Sequence, residues 1–238
     1  MRLRIAILLA TVVGLTACAQ AAQPTPKTDD EKALYALGVM VSQNIRNFDF
    51  TDKELEMVKA GLADGAQGKE TMDADALQGY IPKLQQLETT RAAASLKREK
   101  EAGTALLAKA AAEKGAEKLP NGMVFKSVKE GTGPSPTATD TVKVDYEGKL
   151  ANGKVFDSSI ARKKPETLAL ENVIPCWTEG LQHMKVGGKA HLVCPPELAY
   201  GDRGHPPQMP GGATLSFDVE LLGIEPPEAK APQGNPAK

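Results

Sequence analysis

The stretch V-K-V-D-Y-E-G-K-L-A-N-G-K-V-F-D-S-S, residues 142–159, decides how this chain reads. Val142, Val144 and Tyr146 alternate with Lys143, Asp145 and Glu147, the period-two pattern of a strand with one buried face. Asn152-Gly153 follows, a dipeptide that favours a type I′ hairpin turn, so the chain should return antiparallel through Val155, Phe156 and Asp157. The hairpin thus carries one aromatic ring on each arm and a carboxylate next to the second.

Two further segments join it. V-I-P-C-W-T-E-G, residues 173–180, places Pro175 where the first turn of a short helix tolerates it, with Trp177 and Leu181 inside that helix. A-Y-G-D-R-G-H-P, residues 199–206, reads as a loop. Five of the chain's ten aromatic residues (Tyr146, Phe156, Trp177, Tyr200 and Phe217) lie between Val142 and Phe217. Rings are large, stiff apolar walls; several of them converging on Asp157 describe either an ordinary β-domain core or a concave apolar site with few polar fixtures. Around these segments, Leu119-Pro120-Asn121-Gly122 is a turn, Met123 to Val128 a strand and Gly131 to Pro136 a loop. Gly187-Gly188 turns into a strand over Lys189 to Cys194, and Thr214 to Ile224 alternates as the last strand.

The order and spacing of these motifs resemble the FKBP-type peptidyl-prolyl isomerase family. A Tyr on a strand, V-F-D-S-S after an Asn-Gly turn, V-I-x-x-W-x-E-G, M-x-V-G-G, A-Y-G and a closing F-D-V-E-L-L recur in the family's order over roughly Gly122 to Glu225. The resemblance implies an α+β chain whose C-terminal part is a twisted antiparallel sheet wrapped round one short helix. It implies Trp177 as the floor of a proline pocket, with Tyr146, Phe156, Val173, Ile174 and Phe217 as walls. Tyr200 would donate its hydroxyl to a substrate carbonyl, Asp157 would be the polar fixture, and Met209 and the His205 loop would form the rim. Three positions depart from the family pattern: Leu168 stands where an aromatic is common, Cys176 where Gly is common, and Gly211-Gly212 loosens the rim loop.

Such a site needs neither nucleophile, metal nor cofactor. Rotation about an X-Pro bond breaks no sigma bond and must overcome amide resonance, a barrier of roughly 18–20 kcal/mol. The planar amide is the more charge-separated form, so an apolar site weakens its advantage over the twisted state. A preorganised hydrogen bond to the rotating carbonyl adds to this.

The N-terminal part reads as a series of helices. Arg2 and Arg4 precede an apolar run from Ile5 to Leu15, the pattern of a secretory signal. Leu15-Thr-Ala-Cys18 looks like a bacterial lipobox that would acylate Cys18 and anchor the chain to the outer membrane facing the periplasm; plain cleavage after Ala19 or Ala21 is the alternative. Thr28 with Glu31 and Thr51 with Glu54 are capping boxes, each opening an amphipathic helix. The first carries Leu34, Leu37, Val41 and Ile45; the second carries Leu55, Val58 and Leu62 and should end at Gly65 and Gly68. Asp73 opens a third, with Leu77, Ile81, Leu84 and Leu87 on one stripe and Pro82 as a kink or a boundary. From Arg91 to about Glu113 the pattern becomes Ala-rich and charged all round, as in a helix that crosses solvent between domains. Unbroken from Asp73 to Gly115 it would span roughly 60 Å.

This layout resembles the helical module of Mip-like and FkpA-like isomerases, in which two chains interlock and long stalks carry the catalytic domains; a small monomeric helical cap is the competing reading. The expected organisation is a signal over 1–18, a helical dimerisation module over 28–90, a linker helix over 91–118, an isomerase domain over 119–225 and a disordered tail over 226–238. Its partners would be proline-containing polypeptides and a second copy of itself. The rival function is a non-catalytic holding chaperone or scaffold.

A net charge of −1 gives no footprint for nucleic acid or an anionic membrane. His183, His191 and His205 lack metal-ligand spacing. Arg162, Lys163 and Lys164 read as a solvated loop, with selection of acidic clients as the sharper alternative. By the family fold, Cys176 at the start of the Trp177 helix lies beside the strand ending in Cys194. In an oxidising compartment the pair would form a disulfide; two packed thiols are the alternative.

Overall fold

The structure, a computed structural model, describes residues 25–45, 48–206 and 208–225. The expected signal and lipobox, with Cys18, and the tail over 226–238 lie outside the described residues. Among those residues no helix is long and apolar enough to cross a membrane. The chain divides into two units, Met1–Ser42 and Gln43–Lys238.

The described part of the first unit is α1, Asp29–Ser42. Thr28 caps it: the Glu31 N–H donates to Thr28 Oγ1 at 3.2 Å, and the Glu31 carboxylate accepts from the Thr28 N–H at 2.9 Å. Three acidic residues in its first turn suit the positive end of the helix dipole. The expected stripe reached Ile45, but α1 stops at Ser42. None of its residues is buried, and Leu34 is 70% exposed.

In the second unit, Thr51 and Glu54 form the expected capping box of α2, Asp52–Gln67. Gly65 lies inside that helix, and Gly68, at φ 63°, ends it. Asp73 caps α3, Ala74–Gly79. Pro82 marks a boundary: α3 stops, and α4 runs Ile81–Ala111 with the proline in its first turn, where the missing N–H costs nothing. Its 31 residues span about 46 Å, shorter than the unbroken helix expected.

The C-terminal half of α4 does not cross solvent. Gly103 and Ala110 are buried, and Leu106, Leu107 and Ala111 pack with Val124 and Val193. A Cβ on Gly103 would lie 2.1 Å from Thr214 Oγ1, so only glycine permits this approach. The fully buried points of this face are small residues, Gly103 and Ala110, with Leu106 and Leu107 only partly buried beside them.

The sheet comprises β1 (Ala116–Lys118), β2 (Val124–Lys129), β3 (Thr141–Leu150), β4 (Val155–Ser158), β5 (Glu166–Ala169), β6 (Lys189–Cys194) and β7 (Leu215–Glu225). Its order is β1-β2-β6-β7-β3-β4, with β5 also on β3, and every pairing is antiparallel. Both β4 and β5 pair with β3, at residues 147–149 and 141–144 respectively. Two short helices complete the domain: α5, Ser159–Arg162, and α6, Pro175–Gln182. The core lies between sheet and α6. Val142, Val144, Tyr146 and Leu150 alternate inward from β3, Leu215, Phe217, Val219 and Leu221 from β7, and Trp177 and Leu181 meet them from α6.

The 150–154 hairpin departs from expectation. A type I′ turn needs positive φ at Asn152 and Gly153, but only Gly153 has it, at 82°. The Gly153 N–H donates to the Leu150 carbonyl at 2.8 Å and the Leu150 N–H to the Lys154 carbonyl at 2.9 Å, a three-residue loop closed by a left-handed glycine. The Asn152 side chain is used instead to accept from the Lys154 N–H at 2.9 Å.

Candidate active site

Four of the five aromatic residues singled out by sequence converge; Tyr200 lies outside the cluster. Trp177, buried on α6, has the Tyr146 ring 5.0 Å away at 89° and the Phe217 ring 5.3 Å away at 85°. Phe156 meets Phe217 edge-on at 5.7 Å. Edge-to-face contacts of this kind set positive ring edges against negative faces and fix the orientation of each ring. Gly148 makes room for them, since a Cβ there would lie 2.7 Å from Phe156 Cζ and 2.9 Å from Phe217 Cε1. Val173 and Ile174, immediately before α6, and Leu168, on β5, pack partly buried against the same cluster. The Trp177 indole N–H is buried and has no hydrogen-bond partner among the described residues.

Asp157 stands at the edge of this cluster in a polar network. The Tyr146 hydroxyl donates to one carboxylate oxygen and Arg162 pairs with the other. Arg162 also donates to the Tyr146 oxygen at 3.2 Å and to Glu166 at 3.0 Å, with its guanidinium 5.9 Å from the centre of the Tyr146 ring. Burial opposes ionisation of Asp157, but the hydrogen bonds from Tyr146 and Arg162 outweigh it and hold the carboxyl below its ordinary value. Tyr146 is pushed up to about 12, first by burial and then by its bond to Asp157, so its phenol stays protonated. The network therefore presents a carboxylate whose charge is balanced.

Arg162 is the functional candidate that sequence reading missed. As part of a basic triplet it looked like a solvated loop, yet its guanidinium is engaged by Asp157, Glu166 and Tyr146. A signal existed: Ser158 accepts from the Ala161 N–H at 3.1 Å and caps α5, whose single turn delivers Arg162 back to Asp157. Ser159, equally overlooked, is fully buried; its hydroxyl accepts from the Tyr146 N–H at 2.9 Å and donates to Asp145 at 2.7 Å, pinning β3 to the turn.

Tyr200, His205 and Met209 sit on the loop between β6 and β7. The Tyr200 and His205 rings are 5.4 Å apart, and Tyr200 is 39% exposed. Backbone bonds of 2.9 and 3.0 Å join His205 and Met209. Met209, expected at the rim with the His205 loop, has its side chain buried against the core cluster, and an isolated bridge pairs it with His205. Behind α6, the sulfurs of Cys176 and Cys194 lie at disulfide distance, with Cα atoms 5.8 Å apart. Among the described residues, no group of His, Cys, Asp and Glu is arranged to hold a metal.

Comparison with known proteins agrees with this geometry. Residues 133–222 match the family described as FKBP-type peptidyl-prolyl cis-trans isomerase, and residues 30–126 match the domain amino terminal to it. The chain is 37% identical to the FKBP-type peptidyl-prolyl cis-trans isomerase FkpA of Escherichia coli K12, over 94% of this chain and 92% of that one. It is 35% identical to the peptidyl-prolyl cis-trans isomerase Mip of Coxiella burnetii, over 90% and 95%. Among solved structures, the crystal structure of FkpA from Escherichia coli superposes with a TM-score of 0.63 at 36% identity, covering 85% of this chain and 99% of that one.

Proposed function

Because the chain belongs to the FKBP-type peptidyl-prolyl cis-trans isomerase family, we propose that its X-Pro rotation takes place over Trp177, on exported polypeptides of the cell envelope. The observation that carries this reading is the Trp177 floor, walled by Tyr146 and Phe217 and edged by a charge-balanced Asp157. The apolar floor receives the proline ring and takes the amide out of water, which removes part of the advantage of the planar state. The Tyr200 hydroxyl donates to a substrate carbonyl, and Val173, Ile174, Leu168 and Phe156 set the width of the site. His205 and Met209 shape its loop side. Nothing reactive is consumed, so catalysis rests on shape and preorganised dipoles.

A peptide isomerisation assay tests this directly. Trp177→Leu and Tyr200→Phe should lower kcat/KM on a proline tetrapeptide while the fold survives, and wild-type activity in both would overturn the assignment.

The helical part serves dimerisation in this proposal, over about residues 28–90, with the isomerase domain over 119–225. On α1, Leu34, Tyr35, Leu37 and Met40 are 53–70% exposed, and Met57, Leu62, Leu77 and Leu84 are 49–71% exposed on α2, α3 and α4. Faces this apolar favour cover by a second copy of the chain. The same exposed faces support a second activity, holding unfolded chains as a chaperone. The signal-like segment and the Cys176–Cys194 pair support a periplasmic location, and the lipobox supports an outer-membrane anchor through Cys18.

A further inference from the structure

Loop 200–212 carries three residues of the proposed site, and α4 touches it at both ends. Near the start, Lys100 Nζ lies 2.7 and 2.8 Å from the two carboxylate oxygens of Asp202, two residues beyond Tyr200. At the end, a Cβ on Gly212 would lie 2.6 Å from Leu96 Cδ1 and 3.2 Å from Lys100 Cγ, so loop backbone and helix side chains are in close contact. Beyond the loop, Gly103 abuts Thr214, which is 1% exposed and directly precedes β7. Residues 96, 100 and 103 follow the i, i+4, i+7 spacing that puts them on one helix face.

We propose that α4 is a working part of the isomerase: through Leu96, Lys100 and Gly103 it positions the loop bearing Tyr200, His205 and Met209, and so sets how tightly the site holds its peptide. The inference rests on the reading of the Trp177 cluster as the proline site. The loop's own bonds close it into a unit that a brace is able to orient, since the Gly212 N–H donates to the Gly201 carbonyl at 2.9 Å and the Gly204 N–H to the Tyr200 carbonyl at 3.0 Å. Met209 anchors the loop to the core cluster, but little besides α4 fixes the Tyr200 side, where Tyr200 is exposed and its ring meets only His205 among the aromatic contacts of the described residues. Exposed segments with few packed neighbours are the ones whose position an external contact decides. The Lys100–Asp202 pair is 45% and 60% exposed and contributes little by itself; most of the constraint comes from the close approaches at Gly212 and Gly103.

The test measures kcat, KM and Tm of the full chain with a proline tetrapeptide. Gly103→Leu, which forces α4 away from Thr214, is expected to raise KM about tenfold while kcat stays within about twofold, the signature of lost binding common to ground and transition states. Lys100→Asp and Asp202→Lys should each raise KM about twofold to threefold, and the charge-reversed pair should restore it, as a double-mutant cycle reads coupling. If Gly103→Leu does not fold, Gly103→Ala and the charge reversal carry the test. Folded variants whose KM matches the wild type, including any in which only Tm falls, would reduce α4 to a strut and overturn the proposal. Trp177→Leu, run alongside, judges the pocket separately: activity kept there overturns the pocket reading and leaves the KM comparison to decide the role of α4.

Discussion

Asp157 keeps its charge at the edge of an apolar site because Tyr146 and Arg162 both donate to it. The sign of the pH response follows. Its pKa in the folded chain lies below the ordinary 3.8, so the stabilising pairing is fully present above that value and is lost as pH falls through the lower folded value. Removing Arg162 leaves burial, which raises the pKa, opposed by fewer donors. We therefore expect Arg162→Gln to move the acid limb of the pH–rate profile upward and to lower kcat/KM at neutral pH; an unchanged limb would remove Arg162 from the machinery. Trp177 is 4% exposed, and Trp177→Ala should cost about 3–5 kcal/mol of stability, which is why the gentler Trp177→Leu is the better probe of function.

At the scale of elements, Cys176 on α6 and Cys194 on β6 bring their sulfurs to disulfide distance across a sequence separation of 18. Closing a loop of that length restricts the unfolded chain by roughly 3 kcal/mol. Cys176→Ala/Cys194→Ala should therefore melt well below the oxidised wild type, whereas a reductant should leave the variant's Tm unchanged; equal melting of the two proteins would show that the thiols merely pack. The other decisive element is α4. A chain starting near Gly115 would keep every strand, but it strips Leu106, Leu107 and Ala110 from Val124 and Val193, which are 1% and 0% exposed in the intact protein. Uncovering two such valines should cost roughly 2–4 kcal/mol. Paired thermal melts should show the chain starting at Ala92 to be clearly more stable than the one starting at Gly115.

For the whole molecule, the unresolved balance is apolar. None of the residues of α1, α2 or α3 is buried, although each helix has a hydrophobic side. Short helices of this kind gain most of their stability from packing rather than propensity. Sedimentation of the chain lacking residues 1–18 should report a dimer at micromolar concentration, and Leu34→Glu/Leu37→Glu should dissociate it while sparing activity on tetrapeptides. A monomer in the unmodified chain would favour the small monomeric cap.

The sequence by itself determined the parts that rest on local chemistry. Alternation at Val142, Val144 and Tyr146 specified β3, side-chain oxygens at Thr28, Thr51 and Asp73 specified helix starts, and the resemblance of the motif order to a known family implied the cluster of Tyr146, Phe156, Asp157 and Trp177. Each signal lies within a few residues or in an ordered set of motifs. Tertiary structure alone decided what depends on contacts across the chain. The turn at Asn152-Gly153 took another form because the β3–β4 register set its loop length. Arg162 became part of the site because α5 returns it to Asp157, and Met209 is buried against the core cluster. The face of α4 was illegible for a physical reason: Gly103 and Ala110 carry almost no side chain, so their burial leaves no hydrophobic period to read. What marks them is the closeness of Thr214 and Val193, more than 80 residues away in sequence, which only the folded chain supplies.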